Sequence, residues 1–231
     1  MSRNVLPMVG RRLLLAALSC FALGAQADGA PPRWTYEVTV TNITYNQRFT
    51  PVLLATHRPE VALFTLGQPA SPGLATLAEE GNVAPLRASL QSSPLVTATE
   101  AGSALLDPGK SVTFRIQGNP WRDRLSLAAM LIPTNDAFVA LNAVPLPAPG
   151  QGMQTHTARA YDAGSEVNDE LCSSIPGPFF AECGGSGGGA RVGGGEGFVH
   201  VHRGVHGVGQ LKASDRDWRN PVATVQVRVV R

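Results

Sequence analysis

Apolar and polar positions alternate cleanly where the chain first settles into a pattern. Trp34, Tyr36, Val38 and Val40 fall on one side and Thr35, Glu37, Thr39 and Thr41 on the other. A period of two in aromatic and β-branched residues predicts a half-buried strand. The same pattern returns at Val112, Phe114 and Ile116, and again at the end of the chain, where Val225, Val227 and Val229 alternate with Gln226 and Arg228. Between them, Leu125 to Ile132 is apolar on both faces, as expected of a central strand covered on both sides. Two further apolar runs, Val52–His57 and Val61–Leu66, flank a turn at Arg58-Pro59-Glu60, and a short strand is expected from Gly197 to His202. Helical signals are few. Ser71-Pro72 supplies an N-cap and a first-turn proline, Leu74, Leu77 and Ala78 an apolar side, and Gly81 a stop, with a second short helix expected over Pro85–Leu90. Both helices read as decorations of a long crossover, outside the core. Short alternating strands with frequent Pro and Gly breaks indicate an all-β fold, an antiparallel β-sandwich.

The first 27 residues carry a different signal. Arg3, Arg11 and Arg12 precede an apolar stretch from Leu13 to Leu23, and Ala25-Gln26-Ala27 offers small residues for cleavage before Asp28. This is the pattern of a signal peptide, so residues 28–231 are expected to be the exported domain, periplasmic or secreted. The apolar stretch is too short to span a bilayer, and no integral membrane segment is expected after processing. Ala17-Leu18-Ser19 is a poor lipobox before Cys20, which argues against a lipid anchor there.

Processing changes the charge account. The chain has 19 Lys+Arg and 17 Asp+Glu, and the leader removes three arginines and no acid. The remaining near-neutral balance gives no electrostatic support for a nucleic-acid partner. Cys172 and Cys183 are left as a pair, which in an oxidising compartment most simply forms a disulfide. The glycine-dense stretch 184–197 lacks a phosphate-loop Lys-Ser/Thr signature and reads as a flexible loop.

Candidate chemistry gathers after the central strand. Asp136 follows Pro133-Thr-Asn at a strand exit, and Tyr161-Asp162-Ala-Gly-Ser-Glu166 places two carboxylates four residues apart across a glycine. Carboxylates converging from loops suit a hard cation such as calcium, which binds several oxygens at once. The neighbouring Asp169-Glu170 reads as a solvated acidic pair.

These blocks also carry a resemblance. Thr134-Asn-Asp-Ala-Phe-Val-Ala-Leu-Asn and Tyr161-Asp-Ala-Gly-Ser-Glu, with Tyr36-Glu-Val-Thr-Val-Thr-Asn-Ile and Ala55-Thr-His57 upstream, resemble the spondin amino-terminal domain. That domain occurs in F-spondin-type matrix proteins and in exported bacterial proteins. The resemblance implies a sandwich similar to calcium- and phospholipid-binding domains and a calcium site at Asp136, Asp162 and Glu166. Glu166 departs from the animal pattern, which has Asp there. The chain is accordingly expected to be a non-enzymatic surface or matrix interaction module, with a protein, glycan or surface ligand as its partner.

A second constellation gives the rival reading. His200 and His202 share a strand face and Gly204 could fold His206 toward them, so the three could hold zinc or copper in a periplasmic metalloprotein with hydrolytic or redox activity. The alternative is a polar sheet face. Glu196 is the nearest candidate general base. Gly184-Gly185-Ser186-Gly187-Gly188 matches Gly-x-Ser-x-Gly only within the low-complexity glycine stretch and offers no elbow, no His-Glu-x-x-His helix occurs, and no catalytic residue is assigned.

Overall fold

The computed structural model describes residue 1 and residues 32–177, 180–185, 187–189 and 193–230. The expected signal peptide and Cys20 lie outside the described residues. Ten strands dominate the unit that begins at Pro32: β1 (Trp34–Asn42), β2 (Arg48–Phe49), β3 (Leu53–His57), β4 (Val96–Ala101), β5 (Ser111–Gly118), β6 (Arg124–Ile132), β7 (Ala137–Pro145), β8 (Gln154–Asp162), β9 (His200–Val201) and β10 (Ala223–Val229). Three short helices accompany them: α1 (Pro72–Glu80), α2 (Ala84–Ser92) and α3 (Ala213–Arg216). The order β4-β3-β6-β7-β8-β10-β1-β5 is antiparallel at every pairing. This is the expected sandwich, folded from one nearly closed sheet.

The strand β8 makes that folding possible. Its first half, Gln154–Ala158, pairs with β10, while its second half, Arg159–Asp162, pairs with β7. One strand therefore belongs to both layers, and its C-terminal end carries Asp162.

Inward residues of both layers form the main core, including Tyr36, Val38, Val40, Ile116, Leu125, Leu127, Ala160, Val225 and Val227. The alternation read from the sequence is the alternation of burial along β1. Along β6 every residue after Arg124 is buried, because its outer face is covered as well.

What covers it corrects the sequence reading. Leu74, Leu77 and Ala78 of α1 and Leu86 and Leu90 of α2 pack on Leu53, Ala55, Ala128, Phe138 and Ala140 as a second apolar cluster. The helices are a structural layer, not decoration. Val61–Leu66 forms no strand; Leu63 and Phe64 join this layer, with the Phe64 ring 5.3 Å from Phe138 and 4.7 Å from Tyr161. The start of α1 follows the sequence signals: Ser71 Oγ accepts the Leu74 N–H at 3.3 Å. Gly81 ends it at φ +68, where a Cβ would lie 2.5 Å from Thr50 Cγ2.

Cys172 and Cys183 form the expected disulfide. Beside it, Glu182 receives Arg216 Nε at 2.6 Å and Nη2 at 2.9 Å, which ties the stapled excursion to α3. Among the described residues, no helix is long and apolar enough to cross a membrane.

Candidate functional site

The antiparallel pairing of β7 with β8 sets Ala137 against Asp162, so the residue before β7 and the last residue of β8 come together at one end of the sandwich. Asp136 is fully buried and Asp162 is 1% exposed. Asp136 Oδ2 accepts three hydrogen bonds, from Ser165 N (2.8 Å), Ser165 Oγ (3.2 Å) and Glu166 N (3.1 Å). Its Oδ1 is also buried and has no hydrogen-bond partner, which is a costly state for a carboxylate oxygen. Burial, and next the nearby Asp162, push the Asp136 carboxyl up to about 7, against the pull of its backbone donors.

Asp162 is better satisfied. Its Oδ1 accepts the Gly164 N–H at 2.7 Å, and its Oδ2 accepts Asn168 Nδ2 at 2.8 Å. Burial still raises its carboxyl above the ordinary range, opposed by those two bonds and by His200. Gly164 makes the turn possible. At φ +66 it occupies the left-handed region, and a Cβ there would lie 2.3 Å from Phe198 O.

Glu166 is fully buried on the same turn. It forms bridges with Gly193 and Gly194, and Gly197 N donates to Gly164 O at 2.8 Å. A Cβ at Gly195 would lie 2.5 Å from Gly164 O. Residues 193–197 of the glycine-rich stretch are thus docked backbone to backbone on the acidic turn, and Gly188 lies against the disulfide-bonded excursion through Cys172 and Pro176, where the sequence suggested a flexible loop. Glycine serves close approach here. Residues 186 and 190–192 of that stretch lie outside the described residues.

Asp169 and Glu170 also depart from expectation. Asp169 accepts Asn135 Nδ2 at 3.0 Å and Ser174 Oγ at 2.8 Å. Glu170 is 5% exposed, and its two oxygens take the backbone N–H groups of His206 (2.5 Å) and Val208 (2.9 Å). Neither is a solvated surface acid. They anchor loops around the site, through donors that are separated by 34–38 residues in sequence.

The three histidines do not bring their ring nitrogens within 4.8 Å of one another as a trio. His200 pairs with Asp162 across β8 and β9, and its Nε2 lies 3.8 Å from Asp162 Oδ1 and 3.6 Å from Glu196 Oε2. His202 is buried against the Trp218 ring, at 4.9 Å between centroids. Its Nδ1 accepts the Gly204 N–H at 3.0 Å, so the neutral ring carries its proton on Nε2, 3.6 Å from Asp162 Oδ2. Burial holds this ring neutral, pushing it down to about 3, with His200 adding to the effect. His206 is exposed and held by its backbone.

Among the described residues, one group of three places ligand atoms within 4.8 Å of one another: Asp162, Glu196 and His200. Asp136, Asp162 and Glu166 share the turn but do not meet that limit as a trio, so side-chain adjustment is needed before all three reach one ion. The donor set fits an oxygen-preferring cation in chemistry, since it offers a buried carboxylate oxygen with no donor and a second carboxylate close enough to repel it. The sequence carried no signal for Asn168 and only a weak one for Glu196, because their contributions depend on where the glycine-rich stretch docks.

Residues 33–169 match the family model Spondin_N, more than half of the chain. No curated protein matches the chain.

Proposed function

From the premise that the chain belongs to the spondin amino-terminal domain family, which makes it an extracellular-type domain, we propose a calcium-dependent, non-enzymatic interaction module. Calcium is held by Asp136 and Asp162, with Glu166 as the third carboxylate after its side chain adjusts. The reading is carried by the buried Asp136 Oδ1, which has no hydrogen-bond partner and lies near a second buried carboxylate. A divalent cation would satisfy that oxygen and relieve the repulsion between the two acids. It would also hold together the β7 entry, the β8 exit and the docked glycine-rich stretch, which set the shape of this end of the sandwich. That surface is proposed to meet a protein, glycan or surface ligand outside the cytoplasm, in the periplasm or after secretion.

The test is the thermal melt of chelator-treated protein with and without calcium. Calcium at about 100 times its Kd should stabilise the fold by about 2.7 kcal/mol, and Asp136→Asn should abolish the shift while the variant remains folded. A melt indifferent to calcium would remove this reading. Glu166→Gln then assigns the third ligand: a weakened calcium response places its carboxylate on the ion.

A further inference from the structure

We propose that Asp162, Glu196 and His200 form a second site, for a borderline divalent ion, zinc by preference, with one coordination position facing solvent. Three strands of observation meet here, and none depends on calcium.

The first is spacing. His200 Nε2 lies 3.6 Å from Glu196 Oε2 and 3.8 Å from Asp162 Oδ1. Both distances are too long for hydrogen bonds. Two ligands about 2.1 Å from a tetrahedral zinc are roughly 3.4 Å apart, so these atoms are separated much as they would be around an ion.

The second is the state of the histidine. His200 Nδ1 faces the Val201 carbonyl at 3.3 Å, and a carbonyl can only accept. When Nε2 takes an ion, the Val201 carbonyl keeps the remaining proton on Nδ1, with Nε2 facing the two carboxylates. A ligating imidazole is held in this way by a backbone acceptor on its other nitrogen.

The third is the side chain behind the carboxylates. Asn168 Nδ2 donates to Asp162 Oδ2 at 2.8 Å and to Glu196 Oε1 at 3.4 Å. One amide thus holds the rear oxygen of each acid, leaving Asp162 Oδ1 and Glu196 Oε2 turned toward His200 Nε2. His202 Nε2 lies 3.6 Å from Asp162 Oδ2, beyond hydrogen-bond reach, and is not among the atoms grouped at this site.

A mixed imidazole and carboxylate set of three is softer than an all-oxygen shell and suits zinc better than calcium. Glu196 is exposed, His200 half-buried and Asp162 buried, so the remaining position opens outward. A water molecule, or an acidic group of a partner, would occupy it. Asp162 is shared with the proposed calcium site; the remaining ligands are not.

The test is calorimetric titration of the chelator-treated protein with zinc chloride, with cobalt(II) as the spectroscopic probe. One zinc per chain is expected, together with the intense visible bands of a four-coordinate cobalt site. His200→Ala and Glu196→Gln should each remove the bands, and Asn168→Ala should weaken zinc by about 10–100-fold. Asp136→Asn should keep one zinc per chain and the cobalt bands while losing the calcium response, and His206→Ala should leave zinc binding unchanged, which separates the outcome from that of the calcium reading. Saturable zinc that survives in His200→Ala, or no saturable zinc at all, would overturn the proposal. So would complete displacement of zinc by millimolar calcium. Melting curves of the metal-free variants check that loss of binding is not loss of fold.

Discussion

Glu170 accepts the backbone N–H of His206 across 36 residues of sequence, and its second oxygen takes the N–H of Val208. A single buried carboxylate thereby fixes the loop that follows the histidine-bearing strand. Glu170→Ala would strand both amides, at a cost of about 2–3 kcal/mol. Glu170→Gln, which keeps one acceptor, should lose less. Urea unfolding gives the energies, and hydrogen exchange at His206 and Val208 shows whether the loop is what loosens.

Gly164 is the backbone condition for the acidic turn. Its φ of +66 and the 2.3 Å approach of a would-be Cβ to Phe198 O leave an alanine no space. Gly164→Ala should destabilise the domain by about 2 kcal/mol or more and weaken calcium along with it. A variant of unchanged stability in urea would contradict the packing described for this turn.

Leu77 tests the standing of the helical layer. It is fully buried in the cluster between α1, α2 and the outer face of β3, β6 and β7. Leu77→Ala should cost about 2–5 kcal/mol, the range for a core leucine. A surface decoration would lose far less.

His57 sets part of the response to pH. It is fully buried, with Nδ1–H donating to Arg58 O at 2.8 Å and Nε2 accepting the Ser126 hydroxyl at 2.7 Å. Ser126 Oγ in turn accepts the Ala143 N–H at 2.8 Å. Burial holds the ring below its ordinary 6.5, so on acidification the unfolded chain takes up this proton first. The stability it contributes is complete above about pH 6.5 and is lost as the pH falls toward the lowered folded value. His57→Leu should reduce the slope of stability against pH below 6.5 by up to about 1.4 kcal/mol per pH unit. Unfolding free energies in urea between pH 7.5 and 5 measure it. The slope that remains sums opposing parts: His202 and the half-buried His156, whose values burial also lowers, act as His57 does, while the raised carboxyls of Asp136 and Asp162 take up protons in the folded state and stabilise it on acidification.

Much of the sandwich was legible because one face of each strand is buried and the other is wet. The inward set of β1, β5 and β10 follows from alternation alone, and the doubly covered β6 from its unbroken apolar run. Alternation could not show what covers β6. The helical residues that do so are short apolar stretches, and their destination depends on a crossover that sequence does not reveal. The strands β4 and β8 were harder to see: in Val96–Ala101 the one buried residue is Thr99, and in Gln154–Asp162 Thr, His and Arg alternate with the small inward Ala158 and Ala160.

The candidate site divides in the same way. Asp136, Asp162 and Glu166 lie in compact local motifs, so the turn they share could be anticipated. Glu170 could not, because nothing in Val-Asn-Asp-Glu announces two amide donors more than thirty residues downstream. Nor could the grouping of Glu196 with Asp162, which exists only because Gly193, Gly194 and Gly197 lie against the acidic turn.

The division of β8 between two layers has a mechanical consequence. A sandwich whose layers have only loops in common can open along its seam, one layer fraying while the other persists. Here the strand that ends in Asp162 is stitched to β10 along its first half and to β7 along its second, so neither layer can be peeled away without pulling on the other. Opening of one layer is then coupled to opening of the other. An ion bound at the end of that strand would tighten the whole domain as one body.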